Sequence, residues 1–109
     1  MDPYEAKTLV ALLYTSDEGV LERALVTMAN LATMEHNQNN LREAGCLLRL
    51  QNLLSHTKNE VRLAAVRALG NMALNDQNQR EMKVMCWYFF INCNYYDPPC
   101  KSYAALLLL

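Results

Sequence analysis

Apolar residues fall three and four apart along most of this chain, the spacing of helices that bury one face. The pattern is also written twice: Val20 to Ala32 reads VLERALVTMANLA, and 41 residues later Val61 to Ala73 reads VRLAAVRALGNMA. In this register Ala24 falls on Ala65, Asn30 on Asn71 and Ala32 on Ala73. Leu9, Leu12 and Leu13 fall on Leu50, Leu53 and Leu54, and Asn37-Gln38 falls on Asn78-Gln79. A period of this size marks stacked helical repeats, whose two- and three-helix units run to about 40–47 residues.

Polar breaks and cap signals set the expected elements. Pro3 suits the first turn of a helix that carries Leu9, Val10, Leu12 and Leu13 and ends near Tyr14. Ser16-Asp17-Glu18 is a cap signal, with Ser16 at the cap and acids in the first turn, where the helix dipole favours them. A longer helix follows to about Met34, with Ala24, Leu25, Met28, Leu31 and Ala32 on its apolar face. Gly19 weakens its first turn by up to about 1 kcal/mol relative to alanine. After the polar break Glu35 to Gln38, Asn37 to Ala44 reads as a short helix ended by Gly45 at a left-handed cap position. Leu47 to Ser55 echoes the first helix. Thr57-Lys58-Asn59-Glu60 fits a capping box one period after Ser16. Leu63 to Leu74 echoes the long helix, and a third short helix begins near Asn78. The expected fold is all-α.

Composition narrows the function classes. At 109 residues there is room for one small domain, and with 52% apolar residues a core is available. A net charge of −1 with mixed signs argues against a general nucleic-acid binder. Cys46, Cys86, Cys93 and Cys100 form no C-x-x-C and no zinc spacing with histidine, so reduced thiols are expected, in the cytoplasm or nucleus. The start has an acid where a signal peptide carries a basic region, and Leu9 to Leu13 is far short of the roughly 20 apolar residues that span a bilayer.

At this point the residues resemble the armadillo family. Its L-x-N-L-A helix ending is similar to Met28-Ala29-Asn30-Leu31-Ala32 and to Leu69-Gly70-Asn71-Met72-Ala73. Its linker N-Q-x-x-(I/L)-x-E-A-G is similar to Asn37-Gln38-Asn39-Asn40-Leu41-Arg42-Glu43-Ala44-Gly45. The resemblance implies an armadillo-type solenoid of about two repeats over residues 4–83: repeat one at about 4–36, repeat two at about 37–76, and the start of a third at 77–83. Glu22 to Thr27 is also similar to a segment of the armadillo proteins on the vertebrate mitochondrial surface. Those relatives carry an N-terminal membrane anchor, which is not expected here.

Beyond Lys83 the repeat pattern stops. A continuing repeat supplies a Gly-capped turn and a Leu-rich helix; the chain instead reads Val84-Met85-Cys86-Trp87-Tyr88-Phe89-Phe90-Ile91. Residues 84–109 are therefore expected to be a divergent, aromatic and Cys-rich tail, read either as intron read-through beginning at Val84 or as a terminal cap. For Trp87 to Ile91 a membrane- or partner-binding patch, a helix completing a third repeat and an aggregation-prone run are all open. The seven-residue spacing of Cys86, Cys93 and Cys100 is read as coincidence.

No nucleotide, zinc-protease or hydrolase motif occurs, so no catalysis, cofactor or metal is expected. His36 and His56 read as exposed turn residues and Cys46 as a small packed thiol. The resemblance implies a non-catalytic scaffold that binds a partner segment along the concave face of the long helices. Asn30 and Asn71 take the place of the asparagines that hydrogen-bond the ligand's main chain; stabilising their own repeats is the alternative. Val26 and Arg67 occupy positions where nuclear-import relatives carry a tryptophan for basic side chains, and neither can serve. Arg67 and Arg23 favour acidic or carbonyl-rich ligands. The partner is thus an unidentified protein or extended peptide, with self-association expected at the Lys83 end. The alternatives are a fragment of a longer scaffold without independent activity and a membrane-associated adaptor working through its tail. A cytoplasmic location is expected, with the nucleus and mitochondrial surface as alternatives.

Overall fold

Asp2 starts the first helix, α1 (Pro3–Leu12), with a reciprocal box: its carboxylate accepts the Glu5 N–H at 2.8 Å, and Glu5 accepts the Asp2 N–H at 3.2 Å. A computed structural model describes the backbone of residues 1–92 and the side chains as far as Val84. Over these residues α1 is followed by α2 (Glu18–Leu31), α3 (Glu35–Glu43), α4 (Cys46–Leu53), α5 (Asn59–Met72) and α6 (Asp76–Asn92). Gly45 separates α3 from α4 with φ at 88°, the left-handed region that glycine enters without steric cost.

The caps sit one residue later than their sequence signals. Asp17, not Ser16, caps α2, its carboxylate accepting the Val20 N–H at 3.0 Å. Its register mate Lys58, not Thr57, caps α5 and offers no acceptor, so the Thr57–Glu60 capping box does not form. There His56 Nδ1 accepts the Lys58 N–H at 3.0 Å, and Arg62 donates to the carbonyls of His56 and Thr57. The α5 helix therefore begins at Asn59, ahead of the expected Leu63.

The long helices end at Leu31 and Met72, short of the expected Met34 and Leu74, for a reason repeated in both copies. Asn37 and Asn78 donate to the carbonyls of Leu31 and Met72, both at 3.0 Å. Gln38 and Gln79 donate to those of Ala32 and Ala73, both at 2.7 Å. Side-chain amides thus satisfy the terminal carbonyls that a longer helix would have paired. The same residues open α3 and α6, so Glu35-His36 is helical rather than a break.

Packing follows the repeat. The long helices α2 and α5 lie side by side, α1 packs on α2 and α3, and α4 packs on α5. The core runs through both units: Leu13, Leu25, Met28, Leu41, Leu50, Leu69 and Met72 are all fully buried. Arg49 ties the units together from α4, donating to the Leu13 carbonyl at 2.9 Å with its guanidinium 4.7 Å from the Tyr14 ring centre.

The α6 helix passes through Lys83 without a break. Its first nine residues are one period on from α3, and the residue one period on from Gly45 is Cys86. Without glycine at that point the left-handed corner is disfavoured, and the helix runs on to Asn92. The expectations for Cys93 and Cys100, and for the side chains of Cys86 and of Trp87 to Ile91, lie outside the described residues. Among the described residues no helix is long and apolar enough to cross a membrane.

Candidate functional site

The two long helices present a shared exposed line. On α2 it carries Val26 and Asn30, and on α5 Leu63 and Arg67. Val26 is 42% exposed and Leu63 59%, so apolar surface remains uncovered beside a cation. Among the described residues the Arg67 guanidinium has no hydrogen-bond or ion-pair partner. At the N-terminal ends of the same helices Lys58 lies 3.7 Å from both Glu18 and Glu22, which fixes the charge at that end.

The five residues expected to meet a partner separate into different surroundings. Asn30 is exposed with its amide free among the described residues. Asn71 is half-buried and donates its amide to the Ala29 carbonyl at 2.7 Å, tying α5 to α2. That bond has the geometry of the repeat-stabilising alternative. Val26 and Arg67 share the exposed line. Arg23 lines an opening on α2 together with Glu22 and Val26, and its register mate Ala64 is buried at the junction of the repeats, so Arg23 lies toward the N-terminal end of the stack.

Leu63 was not singled out by its sequence context. Its register mate is Glu22, and that exchange of a polar for an apolar residue was the available signal. A polar cluster was also missed. Arg42 Nη1 donates to Asn39 and Asn78 at 3.0 Å and reaches Asn75 at 3.5 Å, and Asn75 donates to Asn39 at 2.9 Å. Its role is to join α3 to α6. His36 is exposed on α3, its Nε2 3.1 Å from the Met1 carbonyl oxygen, and is not in a turn.

Cys46 opens α4 fully buried. Desolvation raises its thiol from 9.0 to about 12, outweighing its own backbone hydrogen bond and the Arg42 charge, so it is not poised as a nucleophile. Among the described residues no group of acids, histidines and cysteines is placed to hold a metal ion.

Helices stacked in a 41-residue register, with amide side chains closing each long helix, define an α-solenoid of short repeats. The chain belongs to the armadillo-like family, whose profile matches residues 1–89. It is similar to the designed armadillo repeat protein YIII(Dq)4CqI, with 26% identity and a TM-score of 0.72 over 94% of this chain and 45% of that one. The designed armadillo repeat protein YIII(Dq.V1)4CPAF, solved in complex with the peptide (KR)4, matches with the same identity, coverage and TM-score. An engineered protein from a structural genomics consortium matches at 25% identity and a TM-score of 0.71, covering 99% of this chain and 44% of that one. The chain thus spans less than half the length of these solved structures. The fold is one that typically serves as a protein-binding scaffold.

Proposed function

We propose that the chain is a non-catalytic binding unit that holds an extended, acidic or carbonyl-rich segment of a partner protein along the exposed line of α2 and α5. The observation that carries this reading is Arg67, unpaired among the described residues and set beside exposed Val26 and Leu63. A guanidinium flanked by apolar side chains suits a carboxylate next to an apolar residue. Asn30 adds a donor and an acceptor matched to a peptide unit. Asn71 contributes less, since its donor is already engaged by Ala29. The (KR)4 peptide of the designed relative does not carry over, because Arg67 would repel its cations.

The span of the match favours one companion reading, that this unit works as part of a longer scaffold. The reading also places the unit in the cytoplasm, where the Cys46 thiol stays reduced, and cell fractionation tests that placement.

The test of the binding reading is fluorescence anisotropy with labelled (DE)4 and (KR)4 peptides on the full chain. The acidic peptide is expected to bind and the basic one not to, and Arg67→Glu is expected to reverse the order. Equal affinity for both peptides, or no response to Arg67→Glu, would sink the proposal.

A further inference from the structure

Both repeats fasten the chain with the same bond ahead of their long helices, but only the second does so with a group that titrates. Before α2, Thr15 Oγ1 accepts the Asp17 N–H at 3.2 Å. One period on, His56 stands in the place of Thr15, and its Nδ1 accepts the Lys58 N–H at 3.0 Å. A hydroxyl oxygen accepts at any pH near neutrality. A ring nitrogen accepts only while it carries no proton, so this contact requires the neutral imidazole with its hydrogen on Nε2.

The second bond has less behind it than the first. Asp17 gives α2 a further fastening, its carboxylate accepting the Val20 N–H at 3.0 Å, whereas Lys58 gives α5 no side-chain acceptor. The remaining support at the α5 corner is cationic. Arg62 donates to the His56 carbonyl at 2.7 Å and to the Thr57 carbonyl at 3.1 Å. Lys58 reaches across to α2, 3.7 Å from both Glu18 and Glu22.

The charged groups around the corner are thus Lys58, Glu60 and Arg62 of α5, with Glu18 and Glu22 of α2 joined to it through Lys58. A proton on Nδ1 turns the acceptor into a donor that faces another donor. It also sets a third cation beside Arg62 and Lys58, at the helix end where the dipole disfavours positive charge.

We propose that His56 is a pH-sensitive latch on the start of α5. Neutral, it closes the α4–α5 corner and fixes the residue from which Lys58 reaches Glu18 and Glu22. Protonated, it releases the Lys58 N–H, and the first turn of α5 loosens against α2. The sign follows from the bond: the latch is closed above the range in which imidazoles titrate, about pH 5–8, and opens as the pH falls through it. The α2 corner, held by Thr15, does not respond over that range. The latch acts at the junction of α2 and α5 whether or not a partner lies along them.

The test is NMR of the full chain, comparing about pH 7.5 with about pH 5.5. The ring-nitrogen shifts of His56 are expected to show an unprotonated Nδ1 at the higher pH. The two amides to follow in hydrogen exchange, corrected for its intrinsic pH dependence, are Lys58, bound by His56, and Arg62, bound by the Lys58 carbonyl at 3.2 Å. Both should lose protection about fivefold at the lower pH, the worth of one hydrogen bond, while Asp17 and Leu21 keep theirs. His56→Thr, which installs the residue of repeat one, should hold the Lys58 amide protected at both pH values, and His56→Ala should leave it unprotected at both. His36→Gln, which removes the other histidine of the chain, should keep the full response; circular dichroism checks the folding of each variant. A ring protonated on Nδ1 at the higher pH would overturn the proposal. So would a pH response that survives in His56→Thr, or an equal loss of protection at the α2 and α5 corners.

Discussion

Gln38 and Gln79 make the same bond one period apart in different surroundings, and the surroundings set what each is worth. Gln38 is 4% exposed and reaches a second acceptor, the Asn71 carbonyl at 3.3 Å, whereas Gln79 is exposed and its amide bonds only the Ala73 carbonyl among the described residues. Removing a partner from a buried carbonyl costs about 1–3 kcal/mol, but water replaces it at an exposed one. Gln38→Ala should therefore destabilise the chain by about 2 kcal/mol and Gln79→Ala by about 0.5 or less. Urea titration of both variants checks this, and equal losses would show that the Asn71 link contributes nothing. Cys46 gives a second expectation at this scale. Its thiol ionises at about 12 when folded against 9.0 as the reference for the unfolded chain, so the unfolded state loses the proton first as pH rises. The stability it contributes is full below about 9.0 and falls as pH climbs toward about 12. Peptide mapping after iodoacetamide treatment at neutral pH should find Cys46 unmodified until denaturant is added. Modification of Cys46 in the folded chain would contradict the burial argument.

At the scale of the element, two helices that repeat one another are started by different means. Asp17→Ala removes the carboxylate that accepts the Val20 N–H and should cost about 1 kcal/mol in thermal or urea unfolding. Thr57→Ala should change stability by less than about 0.5 kcal/mol, since the Lys58 N–H is met by His56 instead. A large loss at Thr57 would restore the capping box read from the sequence. The cap was legible in its period but not in its residue. Ser16 and Thr57 are 41 apart, and so are Asp17 and Lys58, so pattern alone could not choose between adjacent pairs. The choice lies in the backbone, extended at Asp17 and Lys58. Gly45 was legible because only a glycine takes φ of 88° without penalty, and no atom lies within 4 Å of where its Cβ would stand. The cost of Gly45→Ala is thus backbone strain alone, about 1–2 kcal/mol, and a crystal structure of the variant should show the α3–α4 corner intact.

Across the whole molecule, the stacking order was readable because the 41-residue period fixes which residues repeat, and the all-α architecture follows from that period. What the period could not reveal is where the two copies differ in surroundings. Arg23 and Arg67 look alike as sequence, yet Arg23 matches a buried alanine at the junction, and only the assembled stack separates them. The extent of α6 was illegible for the opposite reason: the sequence departs from its own period after Lys83, and a broken pattern does not say which structure replaces it. In a stack of this kind each unit contacts only its neighbours, so a local change should stay local. The polar cluster of Arg42, Asn39, Asn75 and Asn78 allows that to be tested, because it joins α3 to α6 and, among the described residues, none of its side-chain hydrogen bonds goes to α1 or α2. Arg42→Met keeps an unbranched, flexible side chain, shorter than the arginine, and removes a charged donor shared by Asn39 and Asn78. Hydrogen bonds to charged groups are worth about 1.5–3 kcal/mol, so amides early in α6 should lose protection by about 2 kcal/mol in hydrogen exchange. Amides of α2 should exchange as in the wild type. Equal loss across α2, α5 and α6 would mean that the chain opens as one cooperative unit, and the nearest-neighbour description would have to be given up.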